Sequence, residues 1–391
     1  MESIKDKVAI IGAGCTKFGE NWEQSHEDMI IDAAQEALKD AGLEIKDIDT
    51  FWAATQDTTV FASSITIPLK INYKPVGRVE NACGTGTEGV RVAAYALAAK
   101  LYDTAMIIGF EKMKDTGWAG LGAIGRVVPG GEPPVSTPGM YAFTAVRYFH
   151  QYGLSPHDGK EMLAKIGVKN HYNGALCPKA HFQRKITLEQ AMNAPIIAWP
   201  LGLFDCCAVS DGAAAVIITR AELAKKFRDD PVYIKSIQTL VDACDGYIRD
   251  DYDYTHFETD YRIAQMLYKE AGIKNPRKEI SSINLHDCFT IAEAVSLEDF
   301  GISPRGKVKE DIDAGVFNLD GELPINTDGG LKCFGHPVGA TGLRQMYEQY
   351  KQLQGKAQRP ERQLKNPELL MIHARGGWPG HTIPVGAILS R

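Results

Sequence analysis

Four short stretches carry the side chains best suited to covalent chemistry. They are Asn81-Ala82-Cys83-Gly84, His286-Asp287-Cys288-Phe289, Gly335-His336-Pro337-Val338-Gly339 and Ala374-Arg375-Gly376-Gly377. Cys83 stands in a glycine-rich turn, Gly84 to Gly86, directly ahead of an Ala-rich segment with good helix propensity. At a helix N-terminus, unpaired N–H groups and the macrodipole favour a thiolate. Small neighbours let backbone donors and a substrate approach the sulfur. The same features suit a small apolar cysteine packed at the start of a core helix, and this segment alone does not separate the two readings. A thiolate with two imidazoles, His286 and His336, suits acyl transfer. One imidazole takes the thiol proton and the other helps bind a carbonyl oxygen as it gains charge. A second thiol, Cys288, could move a proton on or off the leaving carbon or sulfur. For any one of these histidines taken singly, a core residue satisfied by backbone is the commoner case.

The elements that must position these groups come in two similar sets. Lys7 to Gly14 (KVAIIGAG) reads as a buried strand. It is not a dinucleotide fingerprint, because Lys17 stands where a third glycine belongs and no helix follows directly. A helix over about Glu27 to Ala41 is ended by Gly42, and strands follow at Ile48–Ala53 and Thr104–Phe110, with a polar loop, the Cys83 turn and its helix between them. In the last third, a strand at Val232–Val241, a helix at Asp260–Ala271 ended by Gly272, and a strand at Ser282–Leu285 repeat that order. Lys39-Asp40-Ala41-Gly42-Leu43 matches Lys269-Glu270-Ala271-Gly272-Ile273 at an offset of 230, and Gly89-Val90-Arg91 matches Gly342-Leu343-Arg344 at 253. At the second offset Cys83 corresponds to His336. Thr104–Phe110 then corresponds to Leu369–His373, and Ala213–Thr219 to the closing strand Thr382–Leu389. This is an internal duplication with an α/β order in each copy. Two such copies pack about a pseudo-twofold axis, which would bring Cys83 and His336 face to face and the four stretches around one join.

Between the copies, from about Lys112 to Pro200, the pattern changes. Gly, Pro and Met are dense from Gly117 to Met140, and helices are expected around Thr144–Tyr152 and Gly159–His171. Lys165, Lys169, Lys179, Arg184 and Lys185 in this excursion could meet the phosphates of an anionic ligand, or form a solvated face. The expected division is residues 1–111 with 201–225 as the first half, 112–200 as an inserted loop domain, and 226–391 as the second half.

Composition narrows the function. The chain has 391 residues, 44% hydrophobic and 24% charged, as in a soluble globular protein of more than one packed unit. A formal charge of −6 gives no basic footprint for nucleic acid. Eight cysteines include no CxxC pair, so neither a zinc site nor a disulfide framework is indicated and no metal is expected. With no membrane-length apolar run and no secretory leader pattern at the start, a cytoplasmic protein is expected.

On these residues the sequence resembles the thiolase superfamily. The resemblance extends over both halves, through Glu111-Lys112-Met113, Asp205-Cys206-Cys207, Ser210-Asp211-Gly212-Ala213-Ala214-Ala215 and the GHPVGATG run from Gly335 to Gly342. His286-Asp287-Cys288-Phe289 stands where many thiolases carry Asn-Glu-Ala-Phe, and is similar to the sterol-carrier-protein type and its archaeal and bacterial relatives. The resemblance implies an α/β thiolase fold: two βαβαβαββ halves in an α-β-α-β-α arrangement with an inserted loop domain. It implies Cys83 as nucleophile toward a 3-oxoacyl-CoA, His336 as its activator, and CoA as co-substrate with no permanent cofactor. His286 and His336 would form one oxyanion hole. The N–H groups of Cys83 and Gly377 would form the other.

One departure matters. Most thiolases place a second catalytic cysteine in a Cys-x-Gly motif near the C-terminus, and here Ala374 takes that place. The resemblance then gives the acid/base role to Cys288, the alternative being water or His286. Trp378 could shape an acyl pocket for a bulky or aromatic group such as benzoylsuccinyl-CoA, or simply pack its loop; acetoacetyl-CoA is the plainer substrate. Cys333 is expected to be structural. Condensing relatives with Cys-His-Asn or Cys-His-Glu sets, and a non-catalytic thiolase-fold subunit, are the other readings. Relatives of this branch also imply a homodimer core with a small OB-fold, zinc-ribbon subunit that binds acyl-CoA.

Overall fold

The computed structural model describes residues 3–57, 60–116, 136–246 and 249–391. Most of the Gly-, Pro- and Met-rich stretch of the inserted region therefore lies outside the described residues. The strands are β1 (Val8–Cys15), β2 (Thr50–Ala54), β3 (Val76–Val79), β4 (Thr104–Glu111), β5 (Ile196–Ala198), β6 (Leu201–Gly202), β7 (Gly212–Arg220), β8 (Val232–Thr239), β9 (Ser282–Asn284), β10 (Leu369–Trp378) and β11 (His381–Ser390). Nine of them form one sheet in the order β3-β2-β4-β7-β1-β8-β11-β10-β9, and β5 and β6 pair separately.

The duplication is visible in the pairing. In the first half β1 runs antiparallel to β7, β7 antiparallel to β4, and β4 parallel to β2. In the second half β8, β11, β10 and β9 repeat those three relations in the same sequence. The halves join through β1 and β8 at Ala9–Tyr233 and Ile10–Val232. They differ at the outer edge: β3 closes the first half, whereas its counterpart is a single bridge between Ile283 and Ile325. The segment before Cys83, expected to be a polar loop, thus contains the edge strand Val76–Val79. At four residues and only partly buried, it carries little periodic signal.

Alternate residues of the buried strands serve two layers. Ala9 and Ile11 of β1 pack with the outer helix His26–Ala41, while Val8 and Ile10 face the helices Thr85–Ala98 and Val338–Leu353. The outer helix starts in a capping box of Ser25 and Asp28. Gly12 and Gly14 let it lie against β1, since a Cβ on Gly12 would sit 2.5 Å from the Ala37 carbonyl oxygen and one on Gly14 2.2 Å from that of Ala33. These glycines serve packing rather than a dinucleotide. On the second half the helix Glu258–Ala271 covers β8 and β11. Outer helices, sheet and a shared inner helix pair give the layered α/β architecture expected.

The inserted region does not stand apart. Its helices, Thr137–Gln151 and Pro156–Ala175, start earlier than expected because Ser136 and Ser155 cap them with proline in the first turn. Tyr141, Tyr148, Met162, Leu163 and Ile166 join one core with Leu285, Ile291 and Leu297 of the second half. Among the described residues, no helix is long and apolar enough to cross a membrane.

Candidate active site

The two inner helices are the equivalents named by the repeat, and they meet at glycines. A Cβ on Gly86 would lie 2.7 Å from the Gly339 carbonyl oxygen, and one on Gly342 2.2 Å from Thr87 Oγ1. Gly339 is threaded between the ends of two strands: its own Cβ would be 2.3 Å from the Ala54 carbonyl oxygen, and a Cβ on Gly109 2.2 Å from its own. The GHPVGATG run is therefore a close-packing device as much as a chemical one. Cys83 and His336, each just ahead of one inner helix, arrive at the same place.

Cys83 follows Ala82, which is held in the left-handed region at φ 46°. That conformation costs about 1–2 kcal/mol outside glycine. It is fixed by Thr85, whose Oγ1 accepts from Asn81 N at 2.8 Å and donates to the Ala82 carbonyl at 2.5 Å. The thiol is buried beside Met113 and Val338. Burial, and then Cys288, push its pKa up, so the resting sulfur is a thiol.

His336 is set up to receive that proton. Its Nδ1 lies 2.7 Å from Thr341 Oγ1, whose single hydrogen goes to the Pro337 carbonyl at 2.8 Å. The hydroxyl must accept, so Nδ1 carries the proton and Nε2 offers its lone pair. Nε2 is buried and has no hydrogen-bond partner among the described residues. Burial, with Arg344 as a smaller cause, pushes the imidazole down to about 3, so it rests neutral. Arg344 is itself held by Asp328 at 2.5 Å.

His286 meets His336 edge-on, with ring centroids 5.2 Å apart, and is held neutral by burial and by its neighbour. One ligand-type atom each from Cys83, His286 and His336 lie within 4.8 Å of one another. Such a trio could also hold a soft divalent cation. Cys288 is buried close by, its thiol pushed up to about 12 by burial, with the Tyr141 hydroxyl and Arg375 beside it. Three of the four chemically expected side chains therefore meet, and Cys288 is near enough to act on the Cys83 thiol.

The rest of the expected set is placed less directly. Ala374 is buried in β10 opposite Val385, so no thiol stands at that position. Gly377, at φ 86°, pairs with Thr382 across the β10–β11 hairpin. It is Gly376 that abuts the Cys83 backbone, where a Cβ would be 3.2 Å from Cys83 N and 2.7 Å from Ala82 Cβ. Trp378 ends that hairpin and stacks on His381 at 4.5 Å; it does not line the cavity that opens beside His336. Cys333 packs against Gly174 in the interior. Of the loop cations, Lys165 pairs with Glu161 and Asp313, Lys169 with Glu293, and Lys179 with Glu36. Lys185 lies over the Tyr172 ring, and only Arg184 faces the cavity.

Three supports escaped the sequence. Asp287 accepts from Leu331 N at 2.6 Å, Lys332 N at 3.2 Å and Asn170 Nδ2 at 2.9 Å, tying its loop to the short helix Gly330–Phe334 that leads into His336. Glu111 accepts from Gln56 N at 2.5 Å, Thr55 Oγ1 at 3.1 Å and Gly339 N at 3.3 Å, and burial raises it to about 7. Arg375 is buried in an ion pair with Asp260, its guanidinium 3.8 Å from the Phe257 ring centroid. A buried arginine inside an apolar strand was the available signal for the last. Its partner lies 115 residues away and no spacing rule reaches it.

The cavity, of about 840 Å³, opens beside His336 and Phe289 and runs past Cys206 and Cys207 to Phe204 and Arg184. Its size suits part of a thioester ligand.

Comparison with known proteins identifies the family. Residues 8–222 match the family described as thiolase, N-terminal domain, and residues 245–390 the thiolase C-terminal domain-like family. An acetyl-CoA acetyltransferase of Methanothermobacter thermautotrophicus is 35% identical over 381 residues, covering 95% of this chain and 97% of the relative. The benzoylsuccinyl-CoA thiolase subunit BbsB of Thauera aromatica is 30% identical, with 96% of each chain covered. Among solved structures, the Ltp2-ChsH2(DUF35) aldolase superposes with a TM-score of 0.84 at 27% identity, covering 99% of this chain and 98% of that one. The chain belongs to the thiolase family and is an acyltransferase.

Proposed function

We propose that this chain cleaves a 3-oxoacyl-CoA with CoA through an acyl thioester on Cys83. The observation that carries the reading is the meeting of Cys83, His286 and His336 at the join of the two halves, with Thr341 fixing the tautomer that leaves His336 Nε2 free. Cys83 gives its proton to Nε2 and its sulfur attacks the ketone carbon. The bond between C2 and C3 breaks, and its electron pair passes to an enolate whose thioester oxygen is held by His286 and protonated His336. Cys288, resting as a thiol, protonates C2 and the shorter acyl-CoA leaves. The Cys288 thiolate then takes the proton of free CoA, whose sulfur attacks the acyl group. Cys83 leaves as thiolate and recovers its proton from His336. N–H groups of Cys83 and Gly377 are assigned to the tetrahedral oxygen, with Gly376 keeping the approach free of a side chain. Run in reverse, the same groups perform a Claisen condensation.

The same reading takes residues 112–200 as cover for the acyl-CoA and assigns the enzyme to the cytoplasm as a homodimer. A second, small OB-fold subunit is proposed with it. The Thauera relative is named a subunit, and the solved aldolase is named with a second component, which supports that part. Acetoacetyl-CoA is the first substrate to try, and a bulky aromatic 3-oxoacyl-CoA such as benzoylsuccinyl-CoA the second. The test is loss of 3-oxoacyl absorbance with added CoA, for thioesters of increasing bulk, with and without the co-expressed partner. Absence of CoA-dependent cleavage across that series would sink the proposal.

A further inference from the structure

The cavity beside His336 contains a cation that acyl transfer does not use. Lys332 lies in the helix Gly330–Phe334, one turn of chain before His336, and is 1% exposed. Its ammonium sits 5.6 Å from the Phe182 ring centroid and 5.9 Å from that of Phe204, and both rings line the cavity together with Lys332.

The other buried lysines each have a carboxylate: Lys160 has Asp205 and Lys169 has Glu293. Among the described residues, none stands within ion-pair distance of Lys332. Asp287, on the adjoining loop, is occupied by the backbone N–H groups of Leu331 and Lys332 and by Asn170. Arg184, an exposed residue, lines the same cavity with its guanidinium 6.0 Å from the Phe204 ring centroid, and it too has no carboxylate partner among the described residues. Glu20 and Lys114 also line the cavity, but they pair with each other at 2.5 Å, so among the described residues Lys332 and Arg184 are left beside aromatic walls without a carboxylate. Burying an unpaired ammonium is unfavourable, so the arrangement is explained by a ligand that brings the charge with it.

We propose that this cavity takes an acyl-CoA whose acyl group ends in a carboxylate, held by Lys332 with Arg184 as the second cation. The inference rests on the thiolase reading for where the thioester lies. A phosphate of CoA offers the same chemistry, but the pantetheine arm places it far from a thioester seated at Cys83. Lys332 lies only a turn from the base that serves that cysteine.

The test uses two thioesters of equal chain length, 3-oxoadipyl-CoA with a terminal carboxylate and 3-oxohexanoyl-CoA with a methyl. The wild type should favour the first. In Lys332→Met the ratio of the two kcat/KM values should fall by about 100-fold, the cost of removing one partner of a buried charge pair. Arg184→Met should lower it less. With its unpaired charge gone, ligand-free Lys332→Met should melt no lower than the wild type. An unchanged ratio would overturn the proposal, and a lower melting temperature beside it would make Lys332 a packing residue.

Equal loss of affinity for CoA itself would assign the cation to a phosphate and overturn it likewise. Calorimetry of Cys83→Ala with succinyl-CoA and butyryl-CoA reads the site without turnover. A succinyl preference in a protein that cleaves nothing would keep the carboxylate site and remove the thiolase reading. Cleavage with no such preference would do the reverse.

Discussion

The two halves of this molecule use one chain path for opposite chemical ends. In each, a glycine-bearing turn leads into an inner helix, from the edge strand Val76–Val79 in the first half and from the short helix Gly330–Phe334 in the second, and the two helices touch at Gly86, Gly339 and Gly342. The first half delivers a thiol there and the second an imidazole. The surroundings differ as well. Cys83 is flanked by apolar Met113 and Val338, whereas the second half has buried charge around its loop: Arg344 with Asp328, Arg375 with Asp260, and Asp287 on backbone amides. Duplication thus supplies position, and divergence supplies reactivity. A scaffold that repeats its backbone can bring a thiol and an imidazole together without either half evolving a site alone.

The largest break in this comparison should come from removing the base. His336→Gln keeps a polar side chain but no proton acceptor of suitable pKa, and thiolysis should fall by about 10²–10⁴-fold, on the order of a lost general base. An unchanged thermal melt with that loss separates chemistry from folding. A loss below about tenfold would point to another base.

Gly339→Ala attacks the shared backbone instead. Its Cβ would press on the Ala54 carbonyl, and overpacking of this kind costs about 1–3 kcal/mol. Urea unfolding should show it directly, whereas a neutral result would mean that the strand ends yield easily.

Thr341→Val is milder, since it removes the hydroxyl that fixes the His336 tautomer along with its bond to the Pro337 carbonyl. Activity should fall about tenfold, the value of one hydrogen bond. Recovery in Thr341→Ser should follow.

In pH dependence the two halves carry opposite signs. His336 titrates near 6.5 unfolded and about 3 folded, so the unfolded chain binds more protons between them. Its contribution to stability is complete above 6.5 and is lost as pH falls toward 3. Glu111 is raised from 4.5 to about 7, so its contribution is complete below 4.5 and is lost as pH rises through 7. Urea midpoints of Glu111→Gln should therefore gain on the wild type as pH rises from about 5 to about 8. Those of His336→Gln should gain on it as pH falls below about 6.

Much of the fold and of the site is legible in the sequence. The offsets that pair Lys39–Leu43 with Lys269–Ile273 and Cys83 with His336 come from matching local strings, and local strings survive duplication. The long strands and the outer helix have strong periodicity and clear caps. The parts that are not legible depend on distance or on weak local signal. Val76–Val79 is too short to show a period. The grip of Asp287 on Leu331 and the pairing of Arg375 with Asp260 cross 44 and 115 residues. Lys169 suits a phosphate by charge alone, and only its burial against Glu293 assigns it to the interior. The close approach of Gly376 to the Cys83 backbone shows the same boundary, because counting along a motif does not say which glycine leaves room for a neighbouring strand end.

The central claim is that Cys83 carries the acyl group between two partners. It is tested most directly by mixing the purified protein with acetyl-CoA, quenching in acid and mapping the modified peptide by mass spectrometry. The account predicts one acetyl group on the peptide bearing Cys83, removed by added CoA and absent in Cys83→Ser. Acetylation on Cys288 in place of Cys83, or full thiolysis by Cys83→Ser, would contradict it.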